Sequence, residues 1–143
     1  MAVRSPSFLL VAAGLLAGCS SYAAPPPKAS FLPAAFRASG TEPFWSVEVT
    51  PLTLVYTTPD DCAGDGGCQG REAVPVRTDY AGKTIVLAQL DDGELHLTIT
   101  PGPCNDGMSD KEYPWTVVAR RGESIWPGCA DSAGAKNAAA QKN

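Results

Sequence analysis

The loop from Cys104 to Pro114 carries the side chains best suited to binding a cation. Asp106 and Asp110 lie four residues apart, and each is preceded by a further oxygen donor, Asn105 and Ser109. Such ligands suit Ca²⁺, but the alternating acidic run and the distant glutamate of an EF-hand loop are missing. Asn, Asp, Gly and Ser also form turns by hydrogen-bonding their own backbone. We therefore expect a polar turn and no metal site.

A second acidic loop contains Asp60, Asp61 and Asp65 among glycines, and its glycine-rich part lies between Cys62 and Cys68. Three carboxylates could recruit calcium, so a calcium-dependent module is one alternative function. A solvated loop closed by a disulfide needs no ion, and it is the interpretation that we prefer.

Acid–base or nucleophilic chemistry has little support in the sequence. His96 is the only histidine, and it falls on the polar face of a predicted strand. The chain has no G-x-S-x-G elbow, no H-E-x-x-H pair and no glycine-rich phosphate loop. Glu42 is interpreted as fixing a strand entry with Pro43. An enzyme would need a cleft that gathers Glu42 or His96 with Asp106 or Asp110, so we predict a non-catalytic protein without a cofactor.

The four cysteines of the central region favour disulfides, because their number is even and the domain is expected to be exported. Three pairings are possible. We prefer Cys62–Cys68, which flanks a short Gly/Asp loop, and Cys104–Cys129, which ties the loop before a hairpin to the strand end after it. A metal–thiolate site is the alternative, but the spacing contains no C-x-x-C pair.

The segment Leu16-Ala17-Gly18-Cys19 has the pattern of a bacterial lipobox. The preceding apolar run, Phe8 to Leu16, is too short to remain as a transmembrane helix. Cleavage before Cys19 would leave its sulfur with a diacylglycerol and its amine with a third acyl chain, which suffice for stable attachment. Ser20 rather than Asp follows, which favours the outer membrane, facing the periplasm. A conventional signal peptide cleaved near residues 23–24 is the alternative.

Composition divides the 143 residues into four parts. Residues 1–18 form the predicted lipoprotein signal peptide, 19–35 a Pro/Ala/Ser-rich tether, and 131–143 a disordered tail. Residues 36–130 suffice for one modest core. The formal net charge is −4, and no basic stripe is present. Nucleic acid is therefore not an expected partner, whereas the bilayer is, through acylated Cys19.

Apolar and polar residues alternate with period two through most of this domain. Trp45, Val47 and Val49 form one such series, and Asp91-Asp92-Gly93 predicts a hairpin turn between two others. Pro101-Gly102-Pro103 is expected to end a strand, and a short helical turn is compatible with residues 106–112. The predicted fold is all-β: a small disulfide-linked antiparallel barrel or sandwich of about seven or eight short strands.

Two strings, GTEPFW at 40–45 and CNDGMSDKEYP at 104–114, together with GCA at 128–130, resemble a family of uncharacterised bacterial envelope lipoproteins. The resemblance covers nearly the whole domain. Some relatives are associated with META-type heat-shock lipoprotein domains. The resemblance implies a small periplasmic β domain, with Cys104 and Cys129 at the positions of the family's paired cysteines.

These observations predict a binding or interaction module of the envelope, whose partner is a periplasmic protein, an envelope polymer or a small ligand. Inhibition of a cell-wall hydrolase such as lysozyme is the alternative, because an acidic loop could complement a basic enzyme. The candidate binding surface consists of aromatic and loop residues within the two distinctive strings: Phe44, Trp45, Asn105, Asp106, Met108, Asp110 and Tyr113.

Overall fold

The computed structural model describes residues 30–134. The signal peptide, Cys19, most of the tether and most of the tail lie outside the described residues. Within residues 30–134 no helix is long and apolar enough to span a membrane. The strands are β1 Phe36–Thr41, β2 Phe44–Val49, β3 Leu54–Thr57, β4 Arg71–Ala73, β5 Pro75–Tyr80, β6 Lys83–Leu90, β7 Gly93–Asn105, β8 Glu112–Arg121 and β9 Ser124–Ser132.

All strand pairs are antiparallel, and they form one sheet in the order β4-β3-β2-β1-β9-β8-β7-β6-β5. Most neighbours in this order are joined by turns, and β3 and β4 are joined by the longer loop 58–70. The pairing of β1 with β9 brings the two ends of the described chain together. The predicted all-β class, antiparallel arrangement and two disulfides are confirmed.

A bent strand brings the two edges of the sheet together. β4 and β5 run in the same direction and are separated by Val74 alone. The segment therefore pairs with β3 before the bend and with β6 after it, and β4 also lies against β6. Counted as one strand, β4 and β5 leave eight strands in a nearly closed barrel, which hides the edges that an open sheet would expose.

The core fills the inside of this barrel because most inward-facing positions on the long strands are apolar. Strand β6, for example, buries Thr84, Val86, Ala88 and Leu90, whereas the residues between them face outward. The larger buried side chains come from both halves of the sheet: Phe36, Val47, Leu54, Tyr56, Val86, Leu95, Leu97, Ile99 and Val117.

The segment before β1 plugs one end of the barrel. Leu32 is buried in the core, and Phe31 packs against it. Arg77 on β5 faces inward and donates to the carbonyl oxygens of Leu32 and Pro33, at 2.6 and 2.8 Å. The tether predicted to reach residue 35 is therefore too long, because its last residues belong to the core. The tail boundary at 131 is also wrong, because β9 continues to Ser132.

The β7–β8 hairpin is longer than the sequence predicts. Pro101-Gly102-Pro103 does not end β7, which continues to Asn105 through a register shift opposite β8. Gly102 has a φ of 151°, a value that favours glycine. The helical turn considered for 106–112 is not formed, and the short 3₁₀ helix of the described chain lies instead at Pro59–Cys62.

Candidate functional site

The end of the β7–β8 hairpin lies over the outer face of β9 and β1. Cys104 on β7 is bonded to Cys129, an outward-facing residue of β9 that the hairpin buries. Lys111 binds the carboxylate of Asp131 on β9 at 2.7 Å. The hydroxyl of Thr41 on β1 donates to the carbonyl oxygen of Asp106 at 3.5 Å. One covalent bond and two polar contacts therefore hold the hairpin against the barrel wall.

Asp106 organises the tip of this hairpin. One of its carboxylate oxygens accepts hydrogen bonds from the backbone N–H groups of Met108 and Ser109, each at 3.0 Å, and the other accepts from the Tyr113 hydroxyl at 2.9 Å. The bond from Met108 is the main cause that lowers the pKa of Asp106, followed by the bond from Tyr113. The carboxylate thus works as a turn-forming group, as the sequence predicted.

Tyr113 is held at its hydroxyl and at one face of its ring. Its hydroxyl donates to Asp106, while the ammonium group of Lys111 lies 4.5 Å from the ring centroid. Partial burial, followed by the bond to Asp106, raises the pKa of Tyr113. The tyrosine is therefore a fixed part of the hairpin wall, and one face of its ring is covered.

A groove runs along the outer faces of β1 and β2 beside this hairpin. Its floor contains Ser39 and Ser46, which face each other across the two strands, and both cavities that form the groove share this pair. We call this feature the β1–β2 groove. Its remaining lining comes from the floor strands, β3, β9, the hairpin and the loop before β4: Arg37, Ala38, Gly40, Thr41, Phe44, Trp45, Val47, Glu48, Thr57, Thr58, Pro59, Cys62, Cys68, Asp106, Met108, Lys111, Tyr113, Cys129, Asp131 and Ser132.

Both walls of the groove are fixed by disulfides. The hairpin wall is tied to β9 by Cys104–Cys129, whose Cα atoms lie 5.6 Å apart. The opposite wall contains Cys62–Cys68, whose Cα atoms lie 3.9 Å apart. Preorganised walls lower the ordering cost of ligand binding, so the groove is suited to recognition.

The groove is lined by five of the seven residues of the predicted surface: Phe44, Trp45, Asp106, Met108 and Tyr113. Phe44 is 53% exposed at its floor, Met108 is 67% exposed at the hairpin tip, and Asp106 and Tyr113 form the wall between them. They lie together because the hairpin folds over β1, which the alternation along single strands does not indicate.

Trp45 lines the same cavity but contributes little exposed surface to it. Its side chain faces the barrel interior and is only 3% exposed. Space for the indole is provided by Gly40 and Gly128, where an added Cβ would lie 2.2 and 2.6 Å from its ring atoms. Trp45 is a core residue because β1 and β9 both lack a side chain at this level.

Asn105 and Asp110 lie on the hairpin but do not line the groove. The Asn105 side chain accepts from the Gly107 N–H at 2.7 Å and donates to the Ser109 carbonyl oxygen at 3.2 Å. It therefore shapes the tip together with Asp106. Asp110 is exposed at the outer side of the turn.

The second acidic loop contacts an arginine through Asp61. Asp61 accepts from the guanidinium of Arg71 at 2.9 Å and from Thr58, both at its backbone N–H and at its hydroxyl. Partial burial opposes ionisation of Asp61, but the bonds from Thr58 and then Arg71 outweigh it and lower its pKa.

Among residues 30–134 no three His, Cys, Asp or Glu side chains are grouped so as to hold a metal ion.

An arginine cluster that no sequence pattern indicated lies at the barrel end opposite Leu32. Arg71 and Arg121 both bind the carboxylate of Asp92, and their guanidinium carbons lie 5.0 and 5.3 Å from the centroid of the Tyr56 ring. The bond from Arg121 is the main cause that lowers the pKa of Asp92. The residues of the cluster come from β3, β4, β8 and the turn between β6 and β7. These elements are distant in sequence, so no local pattern could have predicted the cluster.

Within residues 30–134, the side chains considered for acid–base chemistry, Glu42 and His96, are not hydrogen-bonded to Asp106 or Asp110. His96 contacts Glu94 and lies 3.5 Å from a guanidinium nitrogen of Arg120 on the outer face of β7 and β8. Glu42 lies in the β1–β2 turn, where its peptide bond to Pro43 is cis.

Comparison of the chain with protein-family models, with curated proteins and with solved structures finds no match. The fold and the groove therefore have to be interpreted from their own chemistry.

Proposed function

We propose that this chain is a non-catalytic, lipid-anchored protein of the bacterial envelope, and that its barrel binds a partner or ligand in the β1–β2 groove. The observation that carries the proposal is the groove itself, whose two walls are fixed by separate disulfides. The lipobox at 16–19 and the resemblance of its strings to envelope lipoproteins support the location.

The position of the tether agrees with this role. The described chain enters the barrel at the end plugged by Leu32, with Ser30 against Asp79 of β5. A tether from Cys19 would attach there, so Phe44, which begins β2 at the opposite end, would face away from the membrane. This arrangement would leave the groove open to the periplasm.

Capture from the envelope tests the binding function. The acylated full-length protein is used as bait, and the Phe44→Ala variant is compared with Tyr80→Ala, which removes a 72% exposed aromatic ring from β5, outside the groove. We expect a component that the wild type and Tyr80→Ala retain and Phe44→Ala loses. Equal capture by both variants would place any binding surface elsewhere.

Mass spectrometry of the native product tests the location independently. We expect an acylated Cys19 as the first residue and loss of the acyl mass in Cys19→Ala. A product that begins after residue 24, or that carries an unmodified Cys19, would contradict the anchor without bearing on the groove.

Inhibition of a cell-wall hydrolase is a second candidate, favoured by one feature of the loop before β4. The bond between Cys62 and Cys68 closes a loop that exposes Asp65, next to the exposed Asp60. A rigid acidic projection is complementary to a basic enzyme. Stoichiometric loss of lysozyme activity, relieved by Asp60→Asn with Asp65→Asn, would support inhibition; full activity at excess protein would exclude it.

A further inference from the structure

We propose that the ligand of the β1–β2 groove is a neutral, hydroxyl-rich glycan chain. This inference rests on the proposed function, because it assigns a ligand class to the same groove. It follows from three properties of the lining: unused hydroxyls on the floor, apolar side chains in the same cavity, and charges that are already paired.

The floor presents hydroxyl groups that the protein does not use. Ser39 on β1, Ser46 on β2 and Thr57 on β3 lie in one row across the strands and face outward. Within residues 30–134 none of these three hydroxyls makes a side-chain hydrogen bond, whereas Thr41 beside them bonds to Asp106. A hydroxyl both donates and accepts, so this row can exchange hydrogen bonds with a ligand whose own groups do the same.

Apolar side chains line the same cavity as this row. Phe44 and Met108 both line this part of the groove, and more than half of each side chain is exposed. An exposed aromatic face and a flexible thioether suit the C–H face of a sugar ring, which is apolar although its edges carry hydroxyls. A pyranose over Phe44 would keep its edge hydroxyls close to Ser46 and Thr57.

The charged side chains of the groove leave no cation for an anionic ligand. Arg37 is paired with Glu48 across β1 and β2, and Lys111 is paired with Asp131. Asp106 adds a carboxylate, so a phosphate or sulfate group would meet net negative charge. The lining therefore selects against nucleic acids and anionic polymers and favours an uncharged chain.

An extended peptide fits the groove less well. Peptides that add to a sheet need a free strand edge, but the floor is the face of β1 and β2, and both strands are paired on each side. Proline-rich peptides need several exposed aromatic rings, whereas Lys111 covers one face of Tyr113 and leaves Phe44 as the open ring.

Calorimetric titration of the full-length acylated protein in detergent tests the proposal, with β-1,4-linked N-acetylglucosamine hexamer and maltohexaose as probes. We expect at least one probe to bind. Phe44→Ala should then weaken binding about tenfold, which corresponds to roughly 1.4 kcal/mol. The double variant Ser39→Ala with Ser46→Ala should weaken it as well, while Tyr80→Ala should match the wild type. Unfolding midpoints recorded for each variant keep folding separate from binding.

Two results would overturn the glycan class. One is the absence of binding for both probes, and the other is binding that Phe44→Ala and the serine variant leave unchanged. If neither probe binds while Phe44→Ala still abolishes capture of a protein from the envelope, the ligand is a protein and the binding function of the groove stands. If the groove variants also leave envelope capture unchanged, both proposals fail.

Discussion

Gly40 and Trp45 face each other across the β1–β2 pair, and the indole occupies the space that a side chain at Gly40 would need. A Cβ built on Gly40 would lie 2.2 Å from the indole nitrogen and 2.4 Å from the carbonyl oxygen of Pro127. The ring fills the barrel at this level, directly beneath the outward-facing groove floor. The first and last residues of the GTEPFW string are therefore explained by packing.

Gly40→Ala should destabilise the barrel by at least about 1–3 kcal/mol, the usual cost of overpacking a dense core. The indole is enclosed and the backbone of β9 cannot withdraw without breaking its pairing with β1, so the clash has no easy relief. Urea unfolding at neutral pH measures the loss. Gly66→Ala is the control, since its added Cβ would meet nothing closer than the Gln69 side chain at 3.6 Å; equal losses would contradict this account.

The strands were predictable where one face of the sheet alternates with the other. β7 and β8 alternate over many residues, β6 is a more continuous apolar run, and turns such as Asp91-Asp92-Gly93 separate them. An even count of cysteines and their spacing indicated both disulfides. These signals are local, so a single sequence contains them.

The groove was not predictable because it depends on contacts between distant segments. Phe44 and Trp45 are both aromatic, and only the empty positions at Gly40 and Gly128 determine which of them faces inward. The hairpin covers β1 because β7 bends after Pro101, at residues that the sequence analysis assigned to a strand end. The inward direction of Trp45 and the position of the hairpin both depend on contacts between distant segments, which no local pattern contains.

The two disulfides should contribute unequally to stability. Cys104–Cys129 spans 25 residues and Cys62–Cys68 spans 6. In the chain-entropy account, closing the longer loop stabilises by about 3–4 kcal/mol and the shorter by about 2 kcal/mol. Urea unfolding of the paired variants Cys104→Ser with Cys129→Ser and Cys62→Ser with Cys68→Ser measures both losses. A larger loss for the 62–68 variant would show that strain or residual structure dominates.

Arg77→Ala should release the segment before β1 from the end of the barrel. The guanidinium of Arg77 donates to the carbonyl oxygens of Leu32 and Pro33, and these charged hydrogen bonds are worth about 1.5–3 kcal/mol each. Hydrogen exchange of residues 31–35 should accelerate in the variant, while the amides of β7 should change far less. Arg120→Ala, on the outer face of β8, is the control; matching exchange in the two variants would mean that Arg77 does not hold the plug.

Acid should weaken the barrel partly through the arginine cluster. The bond from Arg121, followed by that from Arg71, keeps the pKa of Asp92 below its ordinary value of about 3.9. A carboxyl group whose pKa is lower in the folded state stabilises the fold above its unfolded pKa, and this contribution is lost as the pH falls through the folded pKa. Asp92→Asn should therefore lower Tm at pH 7 and reduce the further fall in Tm between pH 5 and pH 2. Asp91→Asn, one residue away and outside the cluster, should keep the wild-type dependence of Tm on pH. If Tm falls equally steeply with pH in the two variants, the result contradicts the role of Asp92.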